Sequence, residues 1–170
     1  MLQSAGFCSI PAIRCGSLST SPQDTNAVRD RSGFRVVVVE DNYDANAALS
    51  KLLEKSGFQV AGRAYDGLSG LRVIKSTKPD AAILDIAMPA LDGFGLARRI
   101  RSEVDSPTRL VALTGFGQES DRTEAASAGF DAYFRKPADW AELESLLREY
   151  ASESSQNAGV ESGEPDHPLP

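Results

Sequence analysis

Between residues 34 and 151, short β-branched or apolar runs alternate with stretches whose apolar positions recur at helical spacing. Phe34–Val39 reads FRVVVV, the continuous hydrophobicity of a strand covered on both faces. From Asp44 to Ser56, Ala47, Ala48, Leu52 and Leu53 fall on one side of a helix, and Gly57 supplies the stop. Phe58–Arg63 predicts a second strand, and Leu68–Ser76 a second helix that ends before Pro79. The alternation continues with a strand at Ala81–Leu84 and a helix at Phe94–Val104. A strand at Arg109–Leu113 and a helix at Glu119–Ala128, closed by Gly129, follow. Asp131–Phe134 predicts the last strand, and Asp139–Tyr150 the last helix, with Asp139 as its N-cap. Repeated βα units of this kind build an α/β fold: a doubly wound, five-stranded parallel sheet with helices on both faces.

In such sheets ligands bind outside the carboxyl ends of the strands. There the chain places Glu40-Asp41 after the first strand, Asp85 after the third, Thr114 after the fourth, and Arg135-Lys136-Pro137 after the fifth. Three carboxylates at one rim repel one another unless something offsets their charge. Mg²⁺ takes carboxylate oxygens readily and pairs with phosphate, leaving Lys136 and the Thr114 hydroxyl to hold an anion. A metal, a nucleophilic carboxylate and a phosphate-binding lysine make a site for phosphoryl transfer onto an aspartate.

These residues, in this order, resemble the receiver (CheY-like) domain of two-component response regulators. The segments VVVVEDN, LDIAMPALDG, ALTGFG and YFRKP carry the resemblance across nearly all of residues 34–151. The stretch ALTGFGQESDRTEAASAGFDAYFRKP is most similar to receivers of hybrid histidine kinases. The resemblance implies a CheY/flavodoxin-like (βα)5 fold with Asp85 as phosphoacceptor. It implies that Glu40, Asp41, Asp85 and the backbone carbonyl of Ala87 hold Mg²⁺. Lys136 would pair with Asp85 and then with the phosphoryl oxygen, which Thr114 would also bond. The peptide between Lys136 and Pro137 would be cis, and Tyr133 would be the aromatic that follows Thr114 as a switch. The phosphodonor would be a histidine kinase or histidine phosphotransfer protein. The chain would accept the group and promote its own phosphorylation and dephosphorylation without being a turnover enzyme.

Other chemistry fits less well. A haloacid-dehalogenase-type aspartyl phosphatase needs a second acid two residues after its nucleophile, where this chain has Ala87. FMN binding calls for a Ser/Thr/Gly-rich loop after the first strand, where Glu40-Asp41 stands. Cys8 and Cys15 form no metal site or disulfide framework, and His167 is isolated from any ligand partner. Trp140 reads as a packing residue.

Composition narrows the partners. The chain has 170 residues, a net charge of −6 and 41% hydrophobic residues, with no apolar run long enough to span a bilayer. An acidic protein is poorly suited to wrapping nucleic acid, so the expectation is no direct nucleic-acid contact, no membrane and a cytoplasmic setting. The face made by Gln118–Ala128, Tyr133 and Asp139–Tyr150 carries Glu119, Asp121, Glu124, Glu142, Glu144 and Glu149 against Arg122 and Arg148. That face predicts a downstream protein target or a homodimer. Residues 1–33 and 152–170 lack any sustained period and are expected to be a disordered arm and a disordered acidic tail around the receiver domain at 34–151. With no output module expected after the last helix, the reading is a single-domain regulator, the alternative being a detached receiver fragment of a hybrid histidine kinase.

Overall fold

The structure is a computed structural model that describes residues 33–115 and 119–157, with side chains for 33–115 and 122–154. Its elements are β1 (Arg35–Val39), α1 (Tyr43–Lys55), β2 (Gln59–Ala64), α2 (Gly67–Thr77) and β3 (Ala81–Asp85). There follow α3 (Gly93–Glu103), β4 (Arg109–Thr114), α4 (Glu119–Ala128), β5 (Ala132–Arg135) and α5 (Trp140–Asn157). The five strands form one parallel sheet in the order β2-β1-β3-β4-β5. The predicted doubly wound sheet is thus the observed one.

Alternation along the strands divides the core into two layers. Val37, Val39, Ala82, Leu84, Leu110 and Ala112 face α2, α3 and α4, where they meet Leu71, Ile74, Leu96 and Ile100. Val36, Val38, Ala81, Ile83, Val111 and Leu113 face α1 and α5, against Leu53, Leu143 and Leu147. β1 and β3 lie inside the sheet, and their residues Val36–Val39 and Ala81–Asp85 are all buried. This double burial is why both runs are apolar without interruption. Trp140 packs at the edge of the second layer, as its reading as a packing residue requires.

Local chemistry sets the ends of the helices. Asn42 caps α1 by accepting from Asp44 N–H and Ala45 N–H, both at 3.0 Å, so the helix begins one residue before the predicted Asp44. It closes at Gly57, whose φ of +85° is the left-handed turn that glycine adopts without steric cost. There Gly57 N–H bonds Glu54 O and Phe58 N–H bonds Leu53 O, both at 3.0 Å. Asp139 accepts from Ala141 N–H at 2.8 Å, the predicted cap of α5.

The end of α5 corrects the sequence reading. The helix continues past Tyr150 to Asn157, so the expected tail from residue 152 opens with helical residues rather than a coil. Glu153, within that expected tail, accepts from Arg109 Nη2 at 2.7 Å and fastens this extension to the start of β4. The expectations for residues 1–32 and 158–170, including Cys8, Cys15 and His167, lie outside the described residues. Among the described residues, no helix is long and apolar enough to cross a membrane.

Candidate active site

The same alternation that sorts the core also aims the rim residues. Glu40 continues the Val36, Val38 series of β1, and Asp85 continues Ala81, Ile83 of β3. Ala132 and Phe134 of β5 also face the α1/α5 layer, and Lys136 is next in that series. All three therefore lean to one side of the sheet as they leave it. Thr114 continues Leu110 and Ala112 and so faces the opposite layer, as does Tyr133, which stands opposite Ala112 in the register.

Three carboxylates meet as the sequence predicts: one oxygen from each of Glu40, Asp41 and Asp85 lies within 4.8 Å of the other two. Glu40 and Asp85 are buried, at 4% and 5% exposure. The charge of the cluster is offset from above. Lys136 Nζ lies 2.5 Å from Glu40 Oε2 and 2.9 Å from Asp85 Oδ2. The sequence reading paired Lys136 with Asp85 alone; the bond to Glu40 becomes visible only once the two strand ends are adjacent.

Glu40 and Lys136 are both shifted from their ordinary values. Burial pushes the Glu40 carboxyl above its ordinary value; the Lys136 bond pulls it back in part, and the neighbouring Asp85 and Asp41 charges add to the rise. Burial alone would lower Lys136, but its bonds to Glu40 and Asp85, together with their charges, outweigh that and raise it. The lysine is therefore held as a cation at neutral pH.

The loops that carry these groups are tied to the sheet. Ala87 N–H donates to Asp85 Oδ1 at 3.1 Å, Ile86 N–H to Leu113 O at 2.9 Å, and Gly93 N–H to Ile86 O at 3.1 Å. Helix α3 approaches this turn so closely that a Cβ on Gly93 would stand 2.4 Å from Asp85 O. Lys136 N–H donates to Thr114 O at 2.6 Å, and the Lys136–Pro137 peptide is cis, as the resemblance implied. Thr114 is buried, at 1% exposure, and Tyr133 is half-buried against the α2–α4 layer. On the α4–β5–α5 face, the side chains of Gln118, Glu119 and Asp121 lie outside the described residues. Arg122, Glu124, Glu142, Arg148 and Glu149 are exposed.

The sequence reading passed over Asn46. Its side chain is fully buried in α1, and its Nδ2 donates to Glu40 O at 3.3 Å and Ala64 O at 3.0 Å. A polar residue at a helix position that faces the core was the available signal.

A doubly wound sheet with an acidic triad, a threonine and a lysine at its carboxyl rim is the arrangement expected of a receiver domain, and comparison identifies the family. The response regulator receiver domain family matches residues 36–148, and the chain belongs to that family. The transcriptional regulatory protein PrrA of Mycobacterium leprae is 38% identical over 144 residues, covering 81% of this chain and 61% of its own length. CseB of Streptomyces avermitilis, also a transcriptional regulatory protein, is 37% identical over 127 residues, 72% of this chain and 53% of its own. The chain thus spans little more than half the length of these curated relatives.

Among solved structures, the signal receiver domain of the putative response regulator NarL from Mycobacterium tuberculosis superposes with a TM-score of 0.67 at 30% identity. It covers 71% of this chain and 98% of that one. The receiver domain of sensor histidine kinase PA1611 from Pseudomonas aeruginosa, solved with a magnesium ion coordinated in its active-site cleft, gives 0.64 at 29% identity. Here too 71% of this chain and 98% of the other are covered. The fold is the CheY-like receiver fold.

Proposed function

We propose that the chain accepts a phosphoryl group on Asp85 from a phosphohistidine of a partner protein, and signals through the resulting change in its surface. The observation that carries this reading is the position of Lys136 Nζ, 2.9 Å from Asp85 within a cluster of three acids. An Asp85 oxygen attacks phosphorus, and the bond from phosphorus to the imidazole nitrogen breaks. The bonding pair goes to the ring, whose other nitrogen carries a proton in the phosphohistidine, so a neutral imidazole leaves and an acyl phosphate stands on Asp85. Lys136 neutralises the carboxylate beforehand and stands ready to donate to a phosphoryl oxygen afterwards. The phosphoryl group stays on Asp85 as the signal until water releases it as inorganic phosphate and returns the carboxylate; in that sense the chain is a phosphoacceptor rather than a turnover enzyme. Ala87, where a haloacid-dehalogenase-type phosphatase would need its second acid, supports the same distinction.

Glu40, Asp41 and Asp85 offer hard oxygen donors close enough together to share one small cation, which fits Mg²⁺. They would hold it with the carbonyl of Ala87. Bound there, the ion would supply charge neutralisation to the transferred phosphoryl group. Thr114 would reach that group by its hydroxyl, and Tyr133, on the same face of the sheet, would turn toward the space Thr114 leaves. The phosphodonor is a histidine kinase or histidine phosphotransfer protein.

The output face is α4–β5–α5, whose exposed acids favour a protein partner or a second copy over DNA. A second reading, favoured by the names of the 38%-identical relatives, makes this chain the receiver of a DNA-binding regulator. Sequence-specific DNA binding by the purified chain at physiological salt would overturn the protein-partner output.

Acetyl phosphate with Mg²⁺ should add one phosphoryl group to the purified chain, read by intact-mass spectrometry. A chelator or Asp85→Asn should abolish the addition, while Lys136→Ala should leave weak labelling and blunt the NMR response of β4 and α4. Labelling of Asp85→Asn to the wild-type extent would remove the assignment.

A further inference from the structure

We infer that Asn46 is a positioning residue: its side-chain amide fastens the carbonyl ends of β1 and β2 together and so fixes where Glu40 and Asp41 leave the sheet. The inference rests on the phosphoacceptor reading, because that reading makes the placement of the acidic pair matter.

Asn46 has no exposed surface, and its one NH₂ group serves two acceptors, Glu40 O at 3.3 Å and Ala64 O at 3.0 Å. Two carbonyl oxygens can be met only by the donor end of the amide, which settles its orientation. Ala64 O also takes Glu40 N–H at 3.1 Å, so both its lone pairs are engaged at the point where the two strands end. The Glu40 carbonyl belongs to the peptide that joins Glu40 to Asp41. Fixing it fixes the direction in which both acids project.

The far side of the same loop is held as well. Asn46 N–H donates to Asn42 O at 2.9 Å, and Asn42 caps α1. The stretch from Glu40 to Asn46 is thereby clamped at both ends by one residue, through its backbone and its side chain.

Packing does not account for an amide here. Asn46 Oδ1 and, one turn further along the buried face, Ser50 Oγ have no protein hydrogen-bond partner among the described residues. An apolar side chain at position 46 would avoid that cost but would leave the Glu40 carbonyl untied. Outer groups that orient metal-binding residues change affinity by roughly ten- to a hundred-fold when removed.

The test compares Asn46→Ala with Ser50→Ala, which alters the same buried helix face but touches neither strand end. Each is measured for Mg²⁺ affinity by NMR titration, and, with no metal present, for hydrogen exchange at the Glu40 and Asp41 amides. Thermal melting reports stability. Asn46→Ala is expected to bind Mg²⁺ about tenfold more weakly and to exchange faster at those two amides, while Ser50→Ala matches wild type in both. If Asn46→Ala does not fold, Asn46→Thr, which keeps one O–H donor, takes its place and should show an intermediate loss. Wild-type affinity and exchange in a folded Asn46 variant would overturn the inference, as would an equal loss in Ser50→Ala. Failure of the underlying reading looks different: Mg²⁺ binding by the wild-type chain would then be absent, or unaffected by Asp41→Asn.

Discussion

Glu103 accepts from Arg99 Nε at 2.6 Å and from Lys75 Nζ at 2.6 Å, joining the last turns of α2 and α3. The bond from Arg99, helped by that from Lys75, holds its carboxyl down at about 2. Because the folded value lies below the unfolded one, this carboxyl favours the folded state at neutral pH. Its contribution fades as pH falls through the ordinary Glu range toward 2. An NMR titration should find Glu103 still ionised at about pH 3, where a free Glu is mostly protonated. Arg99→Ala should return its midpoint toward the ordinary value; an unchanged midpoint would show that the two bonds do not set it. Residues of this kind also mark what a sequence conceals. Asp85, Thr114 and Lys136 could be picked out because each follows an apolar run, and the run itself declares the strand end. Asn46 offered a weaker signal, a polar residue on the core-facing side of its helix, and its acceptors are backbone carbonyls that no side-chain pattern advertises.

Helix α5 shows the same contrast one level up. Leu143, Leu147 and Tyr150 recur at helical spacing, are all buried, and mark the helix in the sequence. The turns beyond them, Ser152–Asn157, are polar on every side, and no periodicity distinguishes them from coil. What holds them is a residue 44 positions away: Arg109 bonds Glu153 and lies over the Tyr150 ring, with its guanidinium 4.9 Å from the ring centre. The two parts of the helix should therefore differ sharply when altered. Leu147→Ala should cost about 2–5 kcal/mol in urea unfolding, the range for emptying a fully buried leucine site. Glu153→Ala breaks a bond between exposed side chains and should cost at most about 1 kcal/mol. Comparable losses in both would mean that the extension, and not the apolar stripe, secures α5.

At the scale of the molecule, the fold class was open to reading because five apolar runs alternate with helical stretches, and right-handed crossovers leave few ways to arrange them. The order of the strands was a different matter. The sequence sets β1 and β3 apart by a strand and two helices, yet the sheet pairs them directly, Val39 against Leu84. Glu40 and Lys136, 96 positions apart, bond across the rim only because every strand between them is in place. A partly unfolded chain cannot assemble that cluster. In a urea titration, acetyl-phosphate labelling of Asp85 and the tertiary circular-dichroism signal should therefore vanish together. Labelling that outlasted the tertiary signal would show that a fragment of the sheet suffices.

On the proposed reading, the strand order β2-β1-β3-β4-β5 would act as a form of quality control. The acceptor site would not be stored in any one stretch of chain but created by assembly and lost with it. Misfolded copies would stay silent without any outside inspection. In a cell, the pool of phosphorylated chains would count intact molecules only, and damage would subtract from the message rather than corrupt it.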